Sequence, residues 1–472
     1  MRPMHRGACE RQQAAVDGRR LAESLTGQGL RRLLISFVNH AGVAMAKVVP
    51  LARLEAVARD GVGFSPVSDA WTVDGLPDPL HSLAVPDGDL RLIPDLAALL
   101  PLDRGGGWAW APADRHDRDG HPYACDQRSF CRRQQLALAQ AGLEVSAGFE
   151  IEWVVGQLQT GDPAAGSPGG GGWRPAVAGG PYGADRLLAA ADYLAALADA
   201  LDAAGLPWLQ LHPEYGPGQF ELSLAPCDPL TAADRQVAAR LLIQRLSQRF
   251  GWRCSFSPLL QSDLVGNGGH LHLSVSRQGR PLLHGGERQA GLTPEGEQLI
   301  AALLGHLPEL LPLACPLTLS YRRLGPGRWS APFQAWGVEN REAALRLIPS
   351  GGDGAAAHLE LKVADLAANP YLLVGAVLAV LREGAAAPRA LSDPVVGDPA
   401  ALAAPPPRLP LDLAAASSAF AASTLLQGAM GERLHRTLLE SQQAELRRGE
   451  RLDPEALLAA SRWTPASPAG FG

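Results

Sequence analysis

The 472-residue sequence has no apolar run of the roughly 18 residues that a membrane-spanning helix needs, so no membrane association is expected. Its first residues, MRPMHRGACERQQ, lack the apolar centre of a secretory signal, and a cytoplasmic protein is expected. Lysine and arginine form no stripe with interleaved aromatics, and the formal net charge is −6, which excludes a typical nucleic-acid surface. There are six cysteines, Cys9, Cys125, Cys131, Cys227, Cys254 and Cys315, and no CxxC pair. A cysteine-held zinc is therefore not expected, and free thiols are. Neither a GxxxxGK[ST] loop nor a GxGxxG after a strand occurs, so any nucleotide is held by other means.

What is present fits a globular protein. Hydrophobic residues make up 46% and charged residues 19%. The length predicts two domains, one of them large. Residues 1–20 are polar and read as a flexible N-terminus. Residues 21–115 read as a small α+β unit: Leu33 to Phe37 and Val43 to Val49 as strands around the turn Asn39-His40-Ala41-Gly42, then a short helix from Leu51 to Arg59. Residues 117–472 read as a larger α+β unit. In it, Cys125 to Ala141, Asp185 to Ala204, Ala232 to Phe250 and Tyr371 to Leu381 have helical character. A strand is expected from Glu144 to Val155, a pair from Leu206 to Leu224 around Gly-Pro-Gly, and others at 270–275, 343–347 and 358–363. Residues 160–183 form a Gly/Pro-rich insertion without strand or helix pattern. The C-terminal part is mostly helical.

The chemistry lies in polar residues that interrupt apolar strands. In Phe149-Glu150-Ile151-Glu152-Trp153, positions i and i+2 share a face, so Glu150 and Glu152 point together while the aromatic and aliphatic residues point the other way. Two like charges about 7 Å apart repel by about 2.5 kcal/mol at an effective dielectric near 20, a cost that a cation removes. The alternative is an exposed face with two solvated glutamates. His270, His272 and Ser274 share a face in GHLHLS, as do His358, Glu360 and Lys362 in HLELKV, and each set reads as structural or functional taken alone. Glu214 and Glu221 flank the Gly/Pro turn of EYGPGQFE. Together the segments supply five carboxylates and a histidine to one interior, and mostly oxygen ligands favour Mg²⁺ or Mn²⁺, two or more per subunit. Arg322, Arg323, Arg328, Arg341 and Arg346 lie in the following loops, where guanidinium forks suit carboxylate and phosphate oxygens; a solvated basic loop is the alternative.

The strings GFEIE, HPEYGPGQFE, GNGGHLHLS, SYRRLGPG, WGVENREAALR and HLELKVADLAANPYL, in this order, resemble the glutamine synthetase family. The resemblance implies a small N-terminal β-grasp domain and a catalytic domain whose curved antiparallel sheet, a half-barrel, is flanked by helices. It implies that Glu152, Glu214 and Glu221 hold one metal, and Glu150, His270 and Glu360 another. It matches Arg323 to the arginine that binds the glutamate carboxylate, with Asn267, Gly268 and Lys362 in the amino-acid pocket. Arg341 and Arg346 match arginines around the transferred phosphate, and His272, Ser274 and His358 lie beside the nucleotide. ATP then phosphorylates the side-chain carboxylate, an amine displaces the phosphate, and active sites lie between subunits of a large homo-oligomeric ring.

Four positions depart from the family pattern, among them His358 and Lys362, which stand where the family has arginines. Its glutamine-forming members carry an aspartate where Asn39 stands and a flap glutamate where Arg328-Trp329-Ser330 stands. Both are acids that ammonium needs, so Asn39 and Trp329 are expected to set the amine. The implied partners are a glutamate-like acid and an amine other than ammonia, joined as a γ-glutamyl amide. A glutamine synthetase that uses ammonia through Asn39, Glu339 or a neighbour's residue is one alternative. A non-catalytic ligand sensor is another.

Overall fold

The computed structural model describes residues 6–158, 172–350 and 356–463. The first sheet holds β1 (Arg32–Val38), β2 (Ala44–Pro50), β3 (Val62–Phe64), β4 (Leu90–Pro94), β5 (Leu100–Asp103) and β6 (Trp108–His116). Its order is β2-β1-β6-β4-β3, with β5 also on β6. The β1–β2 hairpin forms around Asn39–Gly42, as the alternating apolar runs predict. A separate core of Leu30, Leu33, Ile35, Leu54, Leu92 and Ala111 fills one side.

The N-terminal segment departs from expectation. Residues 1–5 lie outside the described part, but Ala8–Gly27 is a helix packed on the helix Leu54–Asp60, not a loose tail. Its buried face is Ala15, Gly18, Ala22 and Leu25. A Cβ at Gly18 would sit 2.9 Å from the Leu54 carbonyl oxygen, so the close approach requires glycine. Small residues at helical spacing carry little hydrophobic signal, which is why this face does not stand out in the sequence.

The second sheet is curved and has ten strands. These are β7 (Glu144–Leu158), β8 (Trp173–Pro175), β9 (Trp208–Pro213), β10 (Gln219–Leu224), β11 (Arg253–Ser255), β12 (Leu271–Arg277), β13 (Arg280–Pro281), β14 (Phe333–Val338), β15 (Ala343–Ile348) and β16 (His358–Leu361). The main path is β14-β15-β16-β12-β7-β10-β9, antiparallel except for the parallel β14–β15 pair. β8 is a difference from the sequence reading: Trp173 to Pro175 of the expected unpatterned insertion pair with Gly156 to Leu158. Residues 159–171 of that insertion lie outside the described part.

Helices cover one face of this sheet. Pro229–Arg249, Pro294–Ala314 and Pro370–Ala386 each begin with proline after a side-chain cap from Asp228, Thr293 or Asn369. Phe149, Ile151, Trp153, Phe220, Leu271, Leu273, Leu359 and Leu361 point into this helical core and are buried. The alternate residues of the same strands point to the opposite, concave face. All six cysteines are free thiols. No single described helix is long and apolar enough to cross a membrane.

Candidate active site

Strand register brings the predicted residues into two rows on one face. Arg346 on β15 is opposite Glu360 on β16, and Glu360 is opposite His272 on β12. Glu152 on β7 is opposite Glu221 on β10, and Glu221 is opposite His212 on β9. Neighbouring strands lie about 4.8 Å apart, so a row of pairs at the same pleat phase concentrates its charges on one face. Both rows line a cleft of about 790 Å³.

The carboxylates here are not solvated. The Glu360 side chain is 0% exposed, Glu221 9% and Glu152 12%. His270 Nδ1 lies 3.0 Å from Glu150 Oε2 and 3.3 Å from Glu360 Oε1. His272 Nε2 lies 3.3 Å from Glu150 Oε1. Three sets of ligand atoms converge closely enough to share an ion: Glu150, Glu221 and His270; Glu150, His272 and Glu360; and His212, Glu214 and Glu221. This grouping differs from the two triads implied by the resemblance. His272 joins Glu150 and Glu360, and His212 joins Glu214 and Glu221.

The electrostatics mark an excess of negative charge. Burial, then the Glu214 charge, pushes the Glu152 carboxyl up to about 7. Burial does the same to Glu221, also to about 7, with Glu150 and Glu152 adding to it against a hydrogen bond with His212. Burial opposes ionisation of Glu150 too, but its bonds to His270 and His272 hold it well below the usual range. Both oxygens of Glu360 are buried without a hydrogen-bond donor, although Arg346 Nε is in ion-pair contact. Buried polar atoms left without partners are rare and need a reason. A divalent cation fits this donor set of carboxylates and imidazoles.

The cationic side is also assembled. Arg323 is buried and donates to the Val363 carbonyl, while its Nε has no partner. Arg341, Arg346, Lys362 and Arg328 line the same cleft, and Arg341 has no ion-pair partner among the described residues. His358 faces His272 with ring centroids 5.1 Å apart. Burial pushes His358 below the usual imidazole range. Trp329 is half exposed at the rim, at φ 52°.

Some predicted residues are not brought in. Asn39 is buried in its own turn, accepting from the Val43 N–H at 2.9 Å and donating to the Ser68 carbonyl at 2.9 Å, and does not line this cleft. The Asn267 side chain turns away as well: it donates to Ser255 and Ser257 carbonyls and accepts from Gln219. Only the neighbouring Gly268 reaches the cleft, where its N–H donates to Glu152 at 2.7 Å. A Cβ there would lie 2.2 Å from His270 Nε2, so glycine is required. Ser274 lies further along β12, outside the cleft, and Arg322 binds the Pro454 carbonyl instead.

Residues that sequence reasoning missed include His212, Gln219 and Tyr182. His212 Nε2 is 3.2 Å from Glu221 Oε1, and hydrogen bonding to Glu221 pushes its imidazole up to about 9. Its signal was present: in Leu-His-Pro-Glu, His212 stands two positions before Glu214, the same alternation read elsewhere. Gln219 donates to Glu152 at 3.1 Å and ties it to the Gly266 carbonyl.

Comparison with known proteins bears on the same segments. The model of the glutamine synthetase catalytic domain matches residues 124–455. The γ-glutamylpolyamine synthetase GlnA3 of Streptomyces coelicolor is 42% identical over 452 residues, covering 94% of this chain and 95% of that one. The glutamate–methylamine ligase of Methyloversatilis universalis is 28% identical over 363 residues, 75% of this chain and 77% of its own. The solved structure of a GmaS/ADP complex superposes with a TM-score of 0.79 at 27% identity, covering 92% of this chain and 97% of that one. The rows of carboxylates, imidazoles and guanidiniums thus sit on a known scaffold, and this chain belongs to the glutamine synthetase family.

Proposed function

We propose that this ligase uses ATP to form a γ-glutamyl amide from glutamate and a primary amine larger than ammonia, a polyamine in the first instance. The observation that carries the reading is the makeup of the cleft. The carboxylate and imidazole cluster is complete, while the flap over it carries Trp329 and no acid. The relation to a γ-glutamylpolyamine synthetase and to a glutamate–methylamine ligase supports the choice of acceptor.

In this reading Glu150, Glu152, Glu214, Glu221, His270 and Glu360 hold two or more Mg²⁺ or Mn²⁺ ions, with His212 and His272 as further ligands. Bound there, the cations neutralise the phosphate oxygens of ATP and the developing charge of transfer. Arg323, whose Nε is unpaired, grips the glutamate carboxylate, with Lys362 and Gly268 beside it. Arg341 and Arg346 steady the transferred phosphoryl group, and His272 and His358 flank the nucleotide. The γ-phosphoryl group passes to the side-chain carboxylate and ADP forms. The amine nitrogen then attacks the acyl carbon, phosphate leaves with the C–O bond electrons, and the nitrogen gives up a proton. Trp329 offers an aromatic face for an alkylammonium chain.

The same proposal divides the chain into a first unit to residue 115 and a catalytic unit from 117, supported by a family match that begins at residue 124. It includes a homo-oligomeric ring with active sites between subunits, in which Asn39 shapes its own turn and does not touch the amine. It also includes a cytoplasmic setting, with which six free thiols are compatible. The test is ADP release with ATP, glutamate and a panel of ammonia, methylamine, a diamine and a longer polyamine. A kcat/KM at least tenfold higher for the polyamines than for ammonia is expected. Ammonia as the best acceptor would overturn the reading.

A further inference from the structure

Just ahead of β15, next to Arg341, the turn carries a second acid that the flap itself lacks. Glu342 is 8% exposed, and its Oε1 accepts the Trp329 N–H at 2.7 Å. The Ala331 N–H faces the same carboxylate. Its Oε2 is buried without a hydrogen-bond partner. The two residues it meets are strained: Trp329 has φ 52° and Ala331 φ 58°, the left-handed region that non-glycine residues occupy only at a cost. Such a conformation persists only where neighbours over-determine it.

The surroundings supply that constraint. At the base of the flap, Ser330 Oγ accepts from the Gly325 N–H at 3.0 Å and donates to its carbonyl at 3.1 Å. Behind Glu342, Asn340 Oδ1 accepts the Glu342 N–H, and Asn340 Nδ2 reaches the carbonyls of Val395 and Gly397. The loop is closed on itself by Ser330, but it is fastened to the body of the sheet through Glu342.

We propose that Glu342 is a positioning residue that latches the flap and so sets where Trp329 stands over the cleft, fixing the fit of the acceptor amine. This rests on the reading that Trp329 faces the acceptor. A carboxylate suits the latch, because hydrogen bonds from N–H donors to a charged group are about twice as strong as neutral ones. Loss of the latch frees the flap without touching the groups that bind ATP or glutamate.

The test compares Glu342→Gln and Glu342→Ala with the wild-type protein. Expected is a rise in KM for the amine of about tenfold for Glu342→Ala. A smaller rise is expected for Glu342→Gln, which keeps one carbonyl oxygen for the Trp329 N–H. The KM values for ATP and glutamate are expected to stay within about twofold. Trypsin should also cut after the exposed Arg328 at least fivefold faster in Glu342→Ala. Equal losses in all three KM values with unchanged cleavage at Arg328 would overturn the latch, as would no change in either readout. If ammonia proves the best wild-type acceptor, the acceptor reading fails by itself. The cleavage rate and the ammonia KM then still decide the latch.

Discussion

Two bodies of buried charge in this molecule are built in opposite ways. Where the first sheet meets the larger unit, every charge has its counterpart. Arg115 donates to Asp69 at 2.7 Å, Asp126 at 3.0 Å and the side-chain Oε1 of Gln127 at 2.5 Å. Arg128 binds both oxygens of Asp234 and one each of Asp114 and Asp95 at 2.7–2.9 Å. Despite burial, Arg115 and His40 hold the Asp69 carboxyl well below its usual range. In the cleft the balance fails. Burial and like charges push Glu152 and Glu221 up to about 7, and Glu360 keeps two buried oxygens without a donor. A network that satisfies itself holds the fold together. A network that lacks cations is completed by a ligand.

The contrast predicts opposite responses to mutation. Arg128→Ala strands the buried Asp234 and leaves Asp114 and Asp95 with Arg132 alone, and it is expected to destabilise the protein by about 3–5 kcal/mol, read from the denaturant midpoint. Glu152→Gln removes a charge that burial and the neighbouring Glu214 disfavour. It is expected to leave the cation-free unfolding midpoint unchanged or raised, while amide formation falls about 10²–10³-fold. If Glu152→Gln unfolds the protein as Arg128→Ala does, the two regions are not different in kind.

Next in size is the pH response. Glu152 and Glu221 titrate higher in the folded state than in the unfolded one, so the folded state holds extra protons between about pH 4.5 and 7. Without cations, their contribution to stability therefore falls as pH rises through that window, by up to about 3 kcal/mol for Glu152 alone. Cations bind the deprotonated groups, so the gain in melting temperature from Mn²⁺ should grow from pH 5 to pH 8. Thermal unfolding with EDTA or Mn²⁺ at both pH values checks this, and Glu152→Gln should flatten it. The smallest effect is expected at the outer contact of Arg245 with Asp103, where the arginine is 41% exposed. Arg245→Ala should cost at most about 1 kcal/mol.

How much of this was legible in the sequence depends on periodicity. Strand alternation places chemistry on one face without any tertiary knowledge, so Glu150, Glu152, His270, His272 and Glu360 were readable in advance. Side-chain direction outside regular strands was not. Asn267 occupies the expected loop, yet a buried carboxamide needs several partners, and Ser255, Ser257 and Gln219 take them all. His212 stood in plain alternation but was overshadowed by the two glutamates of the same turn. The helix from Ala8 was hidden because its packing face is alanine and glycine apart from Leu25. Glu342 was hidden beside Arg341, because only the tertiary fold brings it under Trp329.

The central claim is that the cleft is an anionic site made for divalent cations. Its most direct test is a Mn²⁺ titration of the cation-free protein at pH 7.5, followed calorimetrically, with Glu221→Gln and Glu360→Gln beside it. The account predicts two or more ions per chain for the wild-type protein, and the loss of at least one in each variant with the fold retained. An absence of saturable binding, or the same stoichiometry and affinity in all three proteins, would contradict it.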